Sequence, residues 1–265
     1  MLRHRSTLSL VRRRQRGVSL FVVIVFVLLS MLLAVWASRT AIFSEMLVSN
    51  DADHQRAFEA AQALLQDAEL DIRGETSTGA ACAPVAGNDR ICRRGSIMKI
   101  PLEAQEVATL LADLDGVATT RCKDGLCMKR AGRQDFWNAT ASTTPPVNAA
   151  LGEATLAAMA VNGVGARYGQ YTGAQPGTST APANPILADT GAANRGGWYW
   201  IEVLPYDESS KTSSLIVPAA GQPRNLLRLN INPNVVYRIT ALAYGRRAGT
   251  VVVLQQTYVQ QKRRD

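Results

Sequence analysis

Histidine is nearly missing from this chain: the 265 residues hold two, His4 and His54. Imidazole is the side chain that titrates near neutral pH and the commonest metal ligand, so histidine-based catalysis and metal binding have little to work with. Catalytic signatures are missing too. No H-E-x-x-H, G-x-S-x-G or G-x-x-x-x-G-K-[ST] occurs. The cluster Gly163-Val-Gly165-Ala-Arg-Tyr-Gly169 has the wrong last spacing for a dinucleotide loop and reads as a flexible turn. Asp113-Leu-Asp115-Gly116 is a D-x-D-G fragment without the rest of a calcium loop. Glycine and proline total 31 of 265 residues, too few for a collagen-like or wholly disordered chain. Acidic residues are absent from the first 17 positions, where Arg3, Arg5, Arg12, Arg13, Arg14 and Arg16 stand. The remaining 248 residues carry 23 bases against 21 acids, so most of the formal charge of +8 belongs to the leader. That distribution gives no electrostatic footprint for nucleic acid.

Only one apolar run is long enough to cross a bilayer. Val18 to Ser38 is 21 residues without a charge, glycine or proline, and a spanning helix needs about 20. A cut after Ala37 would make it a signal peptide, but with a core longer than the usual 7–15 residues or so. Six arginines lie before the run, while Arg39 and Arg56 after it are mixed with Glu45, Asp51 and Asp53. The positive-inside bias keeps the N-terminus cytoplasmic and carries the rest across the membrane once. Trp36 stands near the outer end, where interfacial aromatics belong.

Between Val18 and Arg73 there is neither glycine nor proline; Gly74 is the first breaker. The pattern predicts one helix, apolar all round over 18–38 and amphipathic over 39–73. Leu47, His54, Phe58, Ala61, Leu65, Ala68 and Ile72 mark the expected inner stripe. Beyond Gly74 a helix is predicted over 102–114, then a loop-rich insertion over about 138–197 with a helix at 149–161. Strands are predicted at 198–204, 226–231, 235–244 and 250–259, with Gly245-Arg-Arg-Ala-Gly249 closing a hairpin. Trp198 and Trp200 share one strand face and are assigned to the core. The predicted fold class is α+β, a long N-terminal helix packed on a C-terminal antiparallel sheet over about 198–259.

Four cysteines, Cys82, Cys92, Cys122 and Cys127, all follow the span. An oxidising periplasm favours disulfides. Three connectivities are possible; ease of short-loop closure favours Cys82–Cys92 and Cys122–Cys127. Neither spacing is typical of zinc, and no metal or other cofactor is expected.

A basic leader ending in Gly17, followed directly by an apolar helix that turns amphipathic, resembles the type IV pilins and pseudopilins. The run Arg56-Ala-Phe-Glu-Ala-Ala-Gln-Ala-Leu-Leu-Gln-Asp-Ala-Glu69 resembles the "AFxAAxAALxDAE" helix of the PilX family of minor pilins. Cys122-Lys-Asp-Gly-Leu-Cys127 is similar to its "C…GLC" element. Tyr237-Arg-Ile-Thr-Ala241, Tyr244-Gly245 and Val251-Val-Val-Leu-Gln-Gln-Thr-Tyr258 resemble its "YRITA…G…VVLQST" end. The resemblance implies a pilin-like fold in four parts: leader 1–17, span 18–38, amphipathic continuation 39–73 and periplasmic domain 74–265. It implies cleavage by prepilin peptidase between Gly17 and Val18 and N-methylation of Val18. Pilins usually carry glutamate as the fifth mature residue; here that position is Val22. The implied role is pilus assembly without catalysis, at initiation or at the pilus tip, with effects on adhesion or twitching motility. Implied partners are other minor pilins, the major pilin, prepilin peptidase, the inner-membrane assembly machinery and membrane lipid, not nucleic acid. Two alternatives stand beside it: a GspK-like pseudopilin of type II secretion, and a single-pass periplasmic binding or adhesion protein.

Overall fold

A stretch without backbone breakers becomes one helix in the computed structural model, which describes residues 18–177, 181–205 and 235–260. Helix α1 is Val18–Arg73. It ends at Gly74, whose φ of +65° is left-handed and free of the Cβ penalty. Gly74 N donates to Asp71 O at 3.1 Å and Glu75 N to Leu70 O at 2.9 Å, closing the helix with a glycine cap. The chain divides into two units, residues 1–51 and 52–265. In the first, every described side chain over Val18–Ser38 is exposed.

The second unit is α+β. Its sheet has the order β1 (Cys122–Lys123), β2 (Leu126–Met128), β3 (Gly197–Pro205), β4 (Val235–Tyr244) and β5 (Val251–Tyr258). All neighbours are antiparallel except β2 and β3, which run parallel, Leu126 opposite Ile201. The strand pattern predicts an antiparallel sheet, and this parallel pair departs from it. A parallel pairing needs a long crossover, and the segment between β2 and β3 supplies it.

Alternation along the strands sorts the two faces. Tyr199, Ile201 and Val203 of β3 and Tyr237, Ile239, Ala241 and Ala243 of β4 face Ala57, Ala60, Ala61, Leu64, Ala68 and Ile72 of α1. Helix α2 (Ala104–Asp115) joins this core through Val107, Leu110 and Leu114. Its start is fixed by the Glu106 carboxylate, which accepts from Leu102 N at 2.7 Å and Glu103 N at 3.3 Å. Trp198 and Trp200 lie on the opposite face, packed with Leu242, Phe136, Met159 and the Cys122–Cys127 pair.

Three expectations differ from the fold. The segment 149–161 holds a 3₁₀ turn at Ala149–Leu151 and a four-residue helix α3 (Leu156–Met159), because Gly152 takes φ +73° between them. The loop-rich 138–197 region is more than a surface: Ala139, Ala154, Met159, Ala166, Tyr171, Ile186 and Leu187 are buried. Ala154 and Met159 cover the second face of the sheet, whose tryptophans would otherwise meet water, while Ala166, Tyr171, Ile186 and Leu187 join the core on the α1 side. On α1, Leu47 and His54 are exposed, and the buried stripe is instead shared by Asp53, Asp67 and Asp71. The strand expected over 226–231 lies outside the described residues.

Candidate assembly helix and its polar anchors

Gly17 lies outside the described residues. Val18 opens α1 and is 71% exposed; Val22 is 42% exposed among Phe21, Val23 and Phe26. No acidic side chain stands in the first turn. The helix is long and apolar enough to cross a membrane. A surface of this kind offers other helices in lipid shape, van der Waals contact and the hydroxyls of Ser19, Ser30 and Ser38. A carboxylate there would require a partner, and the chain has none to place.

Further along the same helix three carboxylates are buried, Asp53, Asp67 and Asp71, and each is anchored to a loop of the domain. Asp53 accepts from Arg246 N at 2.9 Å and Arg247 N at 3.0 Å, tying α1 to the β4–β5 turn. The approach is close: a Cβ on Gly245 would lie 2.3 Å from Asp53 Oδ2. Burial pushes the Asp53 carboxyl up, but these bonds and the nearby Arg247 charge outweigh it, so its pKa sits below the usual value.

Asp67 accepts from Gly169 N at 2.7 Å and from the Thr172 hydroxyl. Burial dominates at this site and raises its pKa to about 7, against the Thr172 and Gly169 bonds. The Asp71 carboxylate adds to the rise, and the Arg93 charge opposes it.

Asp71 forms a two-point pair with Arg93, Nε to Oδ1 at 2.7 Å and Nη2 to Oδ2 at 2.6 Å, and accepts from Tyr199 Oη at 3.1 Å. The remaining Arg93 donor, Nη1, reaches Met98 O at 2.9 Å and Asp124 O at 3.0 Å, and the guanidinium lies 3.8 Å from the Tyr171 ring centre. Burial alone would lower the Arg93 pKa, yet the Asp71 charge and hydrogen bonds raise it. Burial raises both Tyr171 and Tyr199. This connected network holds the helix, the 89–98 loop and β3 in one arrangement.

A second network stands on the other sheet face. Buried Glu202 accepts from Arg238 Nε at 2.6 Å and Nη2 at 2.9 Å and from Arg130 N at 3.1 Å. Arg130 Nη1 is 3.4 Å away, and Arg238 also reaches Gln134. The structure joins Cys82 to Cys92 and Cys122 to Cys127. Asp113 and Asp115 end α2; among the described residues no group of three or more acidic, histidine or cysteine side chains is arranged for a metal ion.

These anchors are not legible as sites in the sequence. Their only signal was acids inside otherwise apolar patterns: Asp53, Asp67 and Asp71 at helical spacing with Ala57, Ala60 and Leu64, and Glu202 within Trp-Tyr-Trp-Ile-Glu-Val-Leu.

Residues 123–260, more than half of the chain, match the family model described as "Type IV pilus assembly protein PilX C-term". Residues 16–66 match the model described as "PilX N-terminal". No curated protein and no solved structure matches.

Proposed function

We propose a place in the filament for this chain, which belongs to the PilX family of type IV pilus assembly proteins and is accordingly a minor pilin. The family is structural rather than catalytic, and its members act with other components of the pilus. In our reading the chain is held in the inner membrane by Val18–Ser38, with the N-terminus cytoplasmic and the folded domain periplasmic. Prepilin peptidase then cuts between Gly17 and Val18, Val18 is N-methylated, and the helix packs laterally against other minor pilins and the major pilin.

The observation that carries the finer placement is Val22. A pilin glutamate at that position pairs with the free N-terminal amine of the subunit docked before it, and the pair removes the cost of an intramembrane charge. This chain has no such carboxylate to offer upward. It does offer the Val18 amine to the next subunit. Such one-directional capacity suits the first position of a fibre, so the chain starts assembly and remains at the tip, where its outer domain is placed to influence adhesion and motility.

The test is the N-terminal sequence and mass of the protein from cells with and without prepilin peptidase. A methylated chain beginning at Val18, found only with the peptidase, is expected. A chain that keeps its leader in both strains overturns the pilin reading and leaves a membrane-anchored periplasmic domain.

A further inference from the structure

One hollow carries charge that the fold does not use. It opens beside the end of α1, within the second unit, and has a volume of about 510 Å³. Ile72, Ile100 and Leu102 give it an apolar lining, and the Cys82–Cys92 disulfide forms part of its wall. Two acids and three cations also line it. Asp71 and Arg93 neutralise each other, and Glu75 is held by Arg73 Nε at 2.8 Å. Arg94 and Lys99 remain, and neither side chain has a partner among the described residues. Lys99 and Ile100 lie in non-helical, non-sheet backbone, and their N–H groups are likewise without a partner among the described residues.

These features select a ligand. Two uncompensated cations favour an anion, the aliphatic lining favours an apolar group beside it, and the unpartnered N–H groups of the lining residues Lys99 and Ile100 suit an extended peptide. The buried Arg93 network and the disulfide hold the wall in place before binding, which lowers the ordering cost. We propose that this hollow docks an acidic residue flanked by aliphatic ones, on an extended segment of a neighbouring pilus subunit. The choice of a pilus subunit rests on the minor-pilin reading; the charge and shape of the hollow do not.

The experiment uses the full chain in dodecyl maltoside and fluorescein-labelled acetyl-Ala-Leu-Glu-Leu-Ala-amide, with glutamine and lysine counterparts, read by fluorescence anisotropy. The glutamate peptide is expected to bind at least ten-fold tighter than the glutamine one, since a contact worth about 1.4 kcal/mol is a ten-fold change. Arg94→Glu and Lys99→Glu each weaken the glutamate peptide several-fold and strengthen the lysine peptide. Both side chains are exposed, so unchanged melting temperatures separate lost binding from lost folding. Equal binding of the glutamate and glutamine peptides, or no effect of either charge reversal in a folded variant, overturns the proposal. Displacement by inorganic phosphate or N-acetylglutamate as effective as by unlabelled peptide makes the ligand a free anion and overturns it as well. Processing at Val18 is scored separately, so loss of peptide binding leaves the pilin assignment standing, and loss of processing leaves the binding result readable.

Discussion

Asp67 and Asp71 are one helical turn apart on α1, yet their surroundings give them opposite consequences. Asp71 is paired with Arg93 in a site where the two side chains are 3% and 5% exposed. Removing one partner leaves a buried charge alone, so Arg93→Ala is expected to cost about 3–5 kcal/mol in denaturant unfolding. Replacing both, as Asp71→Leu with Arg93→Met, costs much less, because no charge is then stranded. Asp67 has hydrogen bonds but no cation of its own, and its pKa is raised to about 7. A raised carboxyl favours the protonated folded state. Its contribution is complete below about pH 4, the value for an unfolded aspartate, and fades as pH rises through about 7. The other groups facing it are Asp71, Arg93, Tyr168 and Tyr199. Asp67→Asn keeps the acceptor for Gly169 and cannot ionise. We expect its stability relative to the native chain to rise between pH 5 and pH 8, by about 2–3 kcal/mol. Parallel pH profiles for the two proteins would refute this. Asp53 works the other way: its lowered pKa adds stability above its ordinary value that is lost as pH falls toward acid.

At the scale of elements, the close seat of β3 on α1 depends on Gly197. A Cβ there would meet Leu64 Cδ1 at 2.4 Å, Leu242 O at 3.1 Å and Leu187 Cδ2 at 3.3 Å. Leu64 is fully buried, so the methyl has no free space to displace it into. Gly197→Ala is expected to cost about 1–3 kcal/mol by overpacking. Gly191→Ala, whose Cβ would meet only Asp189 Oδ1 at 3.6 Å, should melt with the native chain. Elements of this kind were legible where one physical rule governs them. The absence of breakers fixed α1, and period-two alternation fixed β4 with Tyr237 and Ile239 on one face and Arg238 and Thr240 on the other. What stayed hidden depended on distant partners. The two- and three-residue strands β1 and β2 are too short to show a period. Asp67 finds Gly169, 102 residues away, and Arg93 finds Asp71 across 22; no local pattern announces either meeting. His54 failed for a related reason: a seven–four–three spacing tolerates a stripe rotated by one residue, and packing chose Asp53 for the inside.

For the whole molecule, the two family matches cover the span with its helix and the sheet, and residues 67–122 between them carry Asp71, Arg93 and the basic hollow. A charged side chain inside a membrane helix is costly unless it is paired, so a carboxylate at position 22 is tolerated wherever an amine of another pilin meets it. Val22→Glu supplies the missing half of that pair without touching the folded domain. If lack of the pair confines the native chain to the first position, epitope-labelled native protein is found at one fibre end, and the Val22→Glu variant is found along the shaft as well. Processing at Val18 should be equal in both, since the cut precedes docking. A native chain already spread along the shaft, or a variant that stays at the end, would show that position 22 does not set its place, and the outer domain would then have to do so through contacts such as the basic hollow.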